Sequence, residues 1–262
     1  VSTKLPISVT IITLNEEARI GDAIRSVLSF ASEVVVVDSE SVDRTIEIAK
    51  SLGAQTFIRR FDGFGQQKNF AHQQATQEWV LSLDADERVS SDLALELSET
   101  LQSVSSSEYY GFSIPRKTWY LNRWIKHGGW YPDRHVRLAR RKKSRWSEPS
   151  LHEALVVEGK VCRLQQPIEH YSFPNQNFHV MKNLSYARLA KHDLSKRRKT
   201  AHWFDFTARP FYRFIDGYFF KRGFLDGMPG FLIAFHSAYA LFLRYAYLYE
   251  EQYGQIVKNL DC

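Results

Sequence analysis

The residues best placed to do chemistry are Asp84 and Asp86, two carboxylates separated by one alanine directly after the apolar run Trp79-Val-Leu-Ser-Leu83. In extended chain, alternate side chains point the same way, so the two acids can share one target. Like charges converging on a cleft repel unless a cation lies between them. A hard divalent ion, Mg2+ or Mn2+, held by one or two carboxylates plus phosphate oxygens, meets that need. Asp-x-Asp alone is a weak signal. It gains weight from Asp38, which closes a second apolar run, Val34-Val-Val-Val37.

Those runs are the elements that must position the acids. Residues 7–13 are β-branched and nearly continuous, as a buried parallel strand should be. Asn15 is then expected to cap a helix with Glu16 and Glu17 in its first turn and Ile20, Ala23, Ile24, Val27 and Leu28 at helical spacing. A strand over 34–38, a helix from a capping Asp43 to Leu52 with Gly53 as its stop, a strand over 54–58, a helix over 66–77 and a strand over 79–84 follow. This βαβαβαβ order predicts a parallel sheet with right-handed crossovers. Ligands of such sheets bind at the carboxyl ends of the strands, where Asn15, Asp38, Arg59 and Asp84 fall. The turn Thr13-Leu-Asn-Glu16 carries no Gly-x-Gly-x-x-Gly, and no Gly-x-x-x-x-Gly-Lys-Ser/Thr occurs, which argues against a dinucleotide-binding Rossmann enzyme and a P-loop NTPase.

The 262 residues are 44% apolar and 24% charged, a globular composition that excludes disordered and collagen-like chains. A mean hydropathy of −0.36 argues against a multi-pass membrane protein. Ile7 to Leu14 lacks the flanks of a secretory leader, and two cysteines, Cys162 and Cys262, fit a reducing compartment better than a disulfide framework. The net charge of +6 is uneven: residues 1–178 hold 22 Lys+Arg and 22 Asp+Glu, whereas 179–262 hold 13 and 7. A basic, aromatic tail points to an anionic partner: membrane headgroups, lipid-linked sugars or nucleic acid.

Four segments resemble a known family: Ser8 to Glu16, Val35 to Thr45, Gln67-Lys68-Asn69 and Trp79 to Glu87. Together they resemble the family 2 glycosyltransferases of GT-A fold. Later blocks, Gly128 to Asp133, Arg137-Leu138, Leu151-His-Glu153 and His170-Tyr-Ser172, are similar to the lipopolysaccharide inner-core β-1,4-glucosyltransferases among them. One departure is Glu40, where the family often has a glycine that permits positive φ. The resemblance implies an α/β GT-A domain, with a Rossmann-like, mostly parallel sheet and flanking helices, over 1–175. Its nucleotide-sugar half covers about 1–104 and its acceptor half about 105–175. A helical, aromatic-rich extension covers 176–262. It also implies a UDP-sugar donor met by Thr13, Asn15, Glu16, Asp38, Lys68 and Asp84, and a metal held mainly by Asp86, with Asp84 near it. A late histidine, His170 before His152, is expected to complete the metal shell.

Inverting transfer needs a carboxylate to take the acceptor hydroxyl proton. The resemblance makes Glu153 the first candidate and Asp133 the second. Trp119, Tyr120, Trp124, Trp130 and Tyr131 offer faces for sugar stacking, and the basic run Arg140 to Arg145 could meet phosphates on the acceptor. In the tail, a helix over 178–193, the block Lys196 to Lys199 and aromatics interleaved with Arg209, Arg213, Lys221 and Arg222 match an element lying in a headgroup plane. Packing between protomers of an oligomer is the alternative.

The sequence therefore predicts an inverting enzyme that moves glucose, or a similar hexose, from UDP to a heptose of lipid-anchored core oligosaccharide. The expected location is the cytoplasmic face of the bacterial inner membrane. Sugar transfer to a polyprenyl phosphate is the alternative enzyme. A non-catalytic nucleic-acid-binding protein is the alternative of another class. It is disfavoured because Asp38, Asp84 and Asp86 in one crevice would repel phosphates without metal.

Overall fold

The computed structural model describes residues 4–103, 108–147, 153–196 and 199–254. The chain forms two compact units, Val1–Thr118 with Pro132–Ser172, and Trp119–Tyr131 with Phe173–Cys262. The aromatic segment 119–131, assigned above to the acceptor half, thus groups with the helical unit.

In the first unit, β1 (Leu5–Thr13), β2 (Ala31–Asp38), β3 (Gln55–Ile58) and β4 (Trp79–Asp84) alternate with α1 (Ile20–Arg25), α2 (Thr45–Ser51) and α3 (Phe64–Gln74). The four strands are parallel in the order β3-β2-β1-β4. They read so plainly because they are covered on both faces: Ile7, Val9, Ile11, Val36, Leu81 and Leu83 are buried in one cluster, and Val35 and Val37 with Ala71 of α3 in another. Each such strand side chain contributes roughly 1.5–3 kcal/mol by leaving water. The chain continues through β5 (Glu87–Val89), α4 (Ser91–Ser103), β6 (Gly111–Tyr120), β7 (Arg123–Trp124), β8 (Asp133–Arg140), β9 (Ser144–Trp146), β10 (Leu155–Val157), β11 (Val161–Arg163) and β12 (Ile168–His170). Beyond β4 the sheet is mixed: β8 is antiparallel to β4 and β6, and β12 is parallel to β6 but antiparallel to β5. The basic run after β8 makes a single 3-10 turn, Arg141–Lys143, leading into β9.

Asn15 does not cap α1. It sits in the left-handed region at φ 54°, and the helix starts only at Ile20 and stops at Arg25, short of Leu28. The reason is a competing set of hydrogen bonds between the loops after β1 and β2. Asn15 N–H donates to Ser41 Oγ (2.7 Å), Glu16 N–H to Thr45 Oγ1 (2.8 Å) and Glu17 N–H to Asp43 Oδ2 (3.1 Å), while Asn15 Oδ1 accepts Val42 N–H (2.9 Å). With their N–H groups satisfied by side chains 26–29 positions away, residues 15–17 are held out of the helix. Asp43 does serve the start of α2, its Oδ1 accepting Thr45 N–H at 3.0 Å. Glu40 adopts φ 66°, so this turn keeps a left-handed residue even without glycine.

The second unit is helical. α5 (Gln176–Lys196), the single turn α6 (Trp203–Phe206), α7 (Ala208–Ile215) and α8 (Gly227–Tyr253) make it up, with α5 and α7 packed on α8. Tyr120, Ile125 and Ile233 form one of its cores with Trp130 and Phe173. Tyr120 is fully buried, which removes it from the sugar-stacking set. Gly128 and Gly129 both take positive φ (69° and 79°), and a Cβ on Gly129 would lie 2.9 Å from Lys221 Cδ. The block Lys196 to Lys199 falls largely outside the described residues, as do His152 and Cys262; Cys162 carries a free thiol.

Candidate active site

Strand register builds the site first. Thr13 lies opposite Asp38, and Ile12 opposite Asp84, so the ends of β2, β1 and β4 form one row at the carboxyl edge. Asp38 is buried, and its Oδ1 accepts Ser41 N–H at 2.7 Å. Glu16 forms a two-pronged pair with Arg19 (2.6 and 2.8 Å), yet burial pushes its carboxyl above the ordinary value. Thr13 Oγ1 and one guanidinium nitrogen of Arg137, Nη1, are buried without a hydrogen-bond partner among the described residues. Native structures seldom leave such atoms unpaired, so they mark a place where a polar ligand can bind.

The extended reading of Asp84-Ala85-Asp86 is corrected. β4 ends at Asp84, a two-residue turn follows, and β5 resumes at Glu87. The turn is closed by Asp84 N–H donating to Glu87 Oε2 at 2.9 Å. The two aspartates therefore meet different partners. Asp84 lies 3.3 Å from Lys68 Nζ and 3.1 Å from Arg137 Nη2. Arg137 also contacts the fully buried Glu87 at 2.8 Å. The protein around Asp84 works to raise its pKa, but Arg137, Lys68 and Arg116 win and hold it well below the usual carboxylate range.

Asp86 faces His170 Nε2 at 3.3 Å and Arg19 at 3.9 Å. Burial opposes its charge, and the His170 contact with Arg19 outweighs this, lowering its pKa. The pairing of β12 with β5 sets His170 opposite Glu87, and Tyr171 N–H donates to the Asp86 carbonyl at 2.8 Å. His170 Nδ1 lies 3.3 Å from Thr118 Oγ1, which leaves Nε2 for Asp86. A carboxylate beside an imidazole is a donor pair that would suit Mn2+, or Mg2+ given further oxygen donors. Among the described residues no group of three or more His, Cys, Asp or Glu gathers where it could hold a metal ion.

The two candidate bases sit in different settings. Glu153 Oε1 accepts from Lys68 Nζ at 2.9 Å, so Lys68 ties Glu153 to Asp84. Lys68 is itself buried, 4.6 Å from the centre of the Trp146 ring. Asp133 is clamped by Arg116 (2.6 Å) and His135 (2.9 Å). The His135 hydrogen bond and the Arg116 charge pull its pKa far down against burial. The rest of Gln67-Lys68-Asn69 is structural. Gln67 bridges Arg59 and Ser39, and Asn69 exchanges two hydrogen bonds with the Trp146 backbone, at 2.9 and 2.8 Å.

Sequence reasoning gave no role to Arg137, Glu87 or Arg116. A readable signal did exist for Arg137, a charge between Val136 and Leu138 on a strand entering the core. For Glu87 the only hint was its place one residue after the acid pair.

A family model described as "Glycosyl transferase family 2" matches residues 8–156. The chain belongs to glycosyl transferase family 2. The match runs from within β1 into β10 and contains all the acids named above; it ends before β12, which carries His170. A glycosyltransferase of Rickettsia typhi is 33% identical over 93% of this chain and 87% of its own length. The lipopolysaccharide core biosynthesis glycosyltransferase LpsC of Rhizobium meliloti is 30% identical over 98% of this chain and 97% of its own. Among solved structures, glucosyl-3-phosphoglycerate synthase from Mycobacterium tuberculosis, in complex with Mn2+, UDP and glucosyl-3-phosphoglycerate, is similar at a TM-score of 0.44. The identity there is 18%, over 72% of this chain and 78% of that one. By family, the chain is a glycosyltransferase; its architecture is a mixed-sheet α/β unit and a helical unit.

Proposed function

We propose that this glycosyltransferase moves glucose, or a similar hexose, from a UDP-sugar to a heptose of the lipopolysaccharide inner core, with inversion by single displacement. The supporting observation is the row Thr13, Asp38 and Asp84 at the strand ends, with the Asp86–His170 pair beside it. The full-length likeness to LpsC supports a core oligosaccharide as acceptor class. Thr13, Asn15, Glu16 and Asp38 would hold the nucleotide, and Lys68 would hold Asp84 and Glu153 in place. Asp86 and His170 would hold Mg2+ or Mn2+, which when bound neutralises the leaving diphosphate. The acceptor oxygen bonds to the anomeric carbon, the bond from that carbon to the diphosphate breaks, and Glu153 takes the hydroxyl proton. Glu153 suits this better than Asp133, whose two cationic partners depress its basicity. A panel of UDP-sugars against purified core acceptors, with product analysis, tests the assignment. UDP-glucose is expected to give the largest turnover, on heptose-bearing acceptors. Transfer to a polyprenyl phosphate instead would replace this reading.

The lipid-anchored acceptor calls for an enzyme at the inner-membrane surface, on the cytoplasmic side where UDP-sugars are made. The second unit has a face suited to that. Phe211 and Phe220 are about 70% exposed (68% and 70%), with Arg209, Arg213, Lys221 and Arg222 around them. A groove of about 360 Å³ between α7 and α8 is lined by Phe211, Phe214, Phe231, Phe235, Tyr239 and Phe242, among others. Aromatics with a cationic rim are the chemistry of an interfacial element. Gly223–Tyr253 is long and apolar enough to cross a membrane by length and composition. Arg244 within it favours lying at the surface over spanning. Flotation on anionic liposomes is expected, weakening with salt and on Phe220→Ser. A full-length chain that floats on neither neutral nor anionic liposomes would assign this face to protein contacts.

A further inference from the structure

The second unit contains a cavity of about 510 Å³ that the catalytic reading does not use. This is within the usual size of small-molecule sites. It lies between α5, α7, α8 and the segment before β8. Three of its lining side chains are cationic, Lys182, Arg213 and Arg244, and none is acidic. Arg213 lies 3.8 Å from Asp216, which is drawn more tightly to Lys221 at 2.7 Å. Arg244 Nε and Asn183 Nδ2 are buried hydrogen-bond donors with no partner among the described residues. Such donors are costly to leave unmade, and here all point to an acceptor-rich, anionic guest. His179, also in the wall, is pushed down to about 4 by burial, with His236 and Lys182 adding to the effect. It is neutral near pH 7 and adds ring surface rather than charge.

The other wall is aromatic. Trp130 and Phe173 stack at 5.3 Å with an interplanar angle of 27°, and Lys182 lies 4.9 Å from the Phe173 ring centre. Aromatic side chains Trp130, Phe173 and Tyr186 beside cations match a saccharide ring that carries an anionic group: the sugar's apolar face packs on this wall, and the anion meets the cations. A simple inorganic anion would leave the aromatic wall empty. We propose that this cavity binds a sugar bearing a phosphate or carboxylate, independently of the UDP-sugar site.

The test is calorimetric titration of the full-length chain with glucose 6-phosphate, glucose and inorganic phosphate, for wild type and Arg244→Gln. The glutamine keeps hydrogen-bonding capacity and loses the charge. Circular dichroism and melting temperature check that the variant folds, and Lys182→Gln serves as second variant if it does not. Glucose 6-phosphate is expected to bind wild type at least tenfold more tightly than glucose or phosphate, and Arg244→Gln to weaken it roughly 10–10²-fold. UDP binding with Mn2+ is expected to be unchanged in the variant, which separates this site from the donor site. Flotation on phosphatidylglycerol vesicles is the arm that distinguishes a lipid headgroup. Loss of flotation in Arg244→Gln with intact glucose 6-phosphate binding would make the anion a headgroup and overturn the saccharide assignment. Absent or unchanged glucose 6-phosphate binding would overturn it as well.

Discussion

Asp86→Ala is expected to abolish sugar transfer and metal-dependent UDP binding while leaving the fold intact. The carboxylate has few structural duties: its partners are His170 at 3.3 Å and Arg19 at 3.9 Å, and Arg19 keeps its two-pronged pair with Glu16. On the proposed metal role, losing it would leave His170 without the carboxylate of the pair that is to hold the divalent ion. Diphosphate charge then has less to meet it as the bond to the sugar breaks, and turnover should fall roughly 10²-fold or more. Asp84→Ala makes the contrast. It would strip Lys68 and Arg137, both buried, of a counter-charge, so it should also lower the melting temperature. Turnover, UDP titration with Mn2+ and circular dichroism on both variants separate the roles. Near-normal turnover in Asp86→Ala, or wild-type activity undiminished by EDTA, would remove the metal assignment.

The contrast between Asp84 and Asp86 also shows where the sequence stops being legible. β1 to β4 could be read because strands covered on both faces appear as unbroken apolar runs. That placed Asp38 and Asp84 at strand ends correctly, since register follows from parallel pairing. β5, β9, β10, β11 and β12 are three residues each, too short for any period to show. They nevertheless decide the site, because β12 on β5 brings His170 to Asp86 across 84 positions. The turn that separates Asp84 from Asp86 depends on Glu87, whose burial is possible only because Arg137 arrives from β8. Asn15 is similar. Its local sequence is that of a cap, yet its partners are Ser41 and Val42, supplied by the loop after the next strand. Residue type gave the chemistry available; pairings distant in sequence chose which acid meets which cation. In the second unit, composition alone could not separate a buried ring such as Tyr120 from exposed ones such as Phe220.

Glu153→Gln should cut turnover by about 10²–10⁴ while leaving donor affinity close to wild type. The amide is the same size and its carbonyl oxygen can still accept from Lys68, so Lys68 stays beside Asp84. What is lost is the ability to take a proton at neutral pH. Asp133→Asn is the matched control. Its carboxylate is already committed to Arg116 and His135, and its low pKa makes it a poor proton acceptor, so the amide should change turnover little. Loss of those partners could loosen the end of β8, which a melting curve would reveal separately from rate. The two variants are therefore compared at saturating UDP-sugar, with donor dissociation constants measured in parallel. A dead Asp133→Asn alongside an active Glu153→Gln would transfer the base role to Asp133. Equal loss in both, with donor binding retained, would mean that the proton leaves through a group neither residue controls alone.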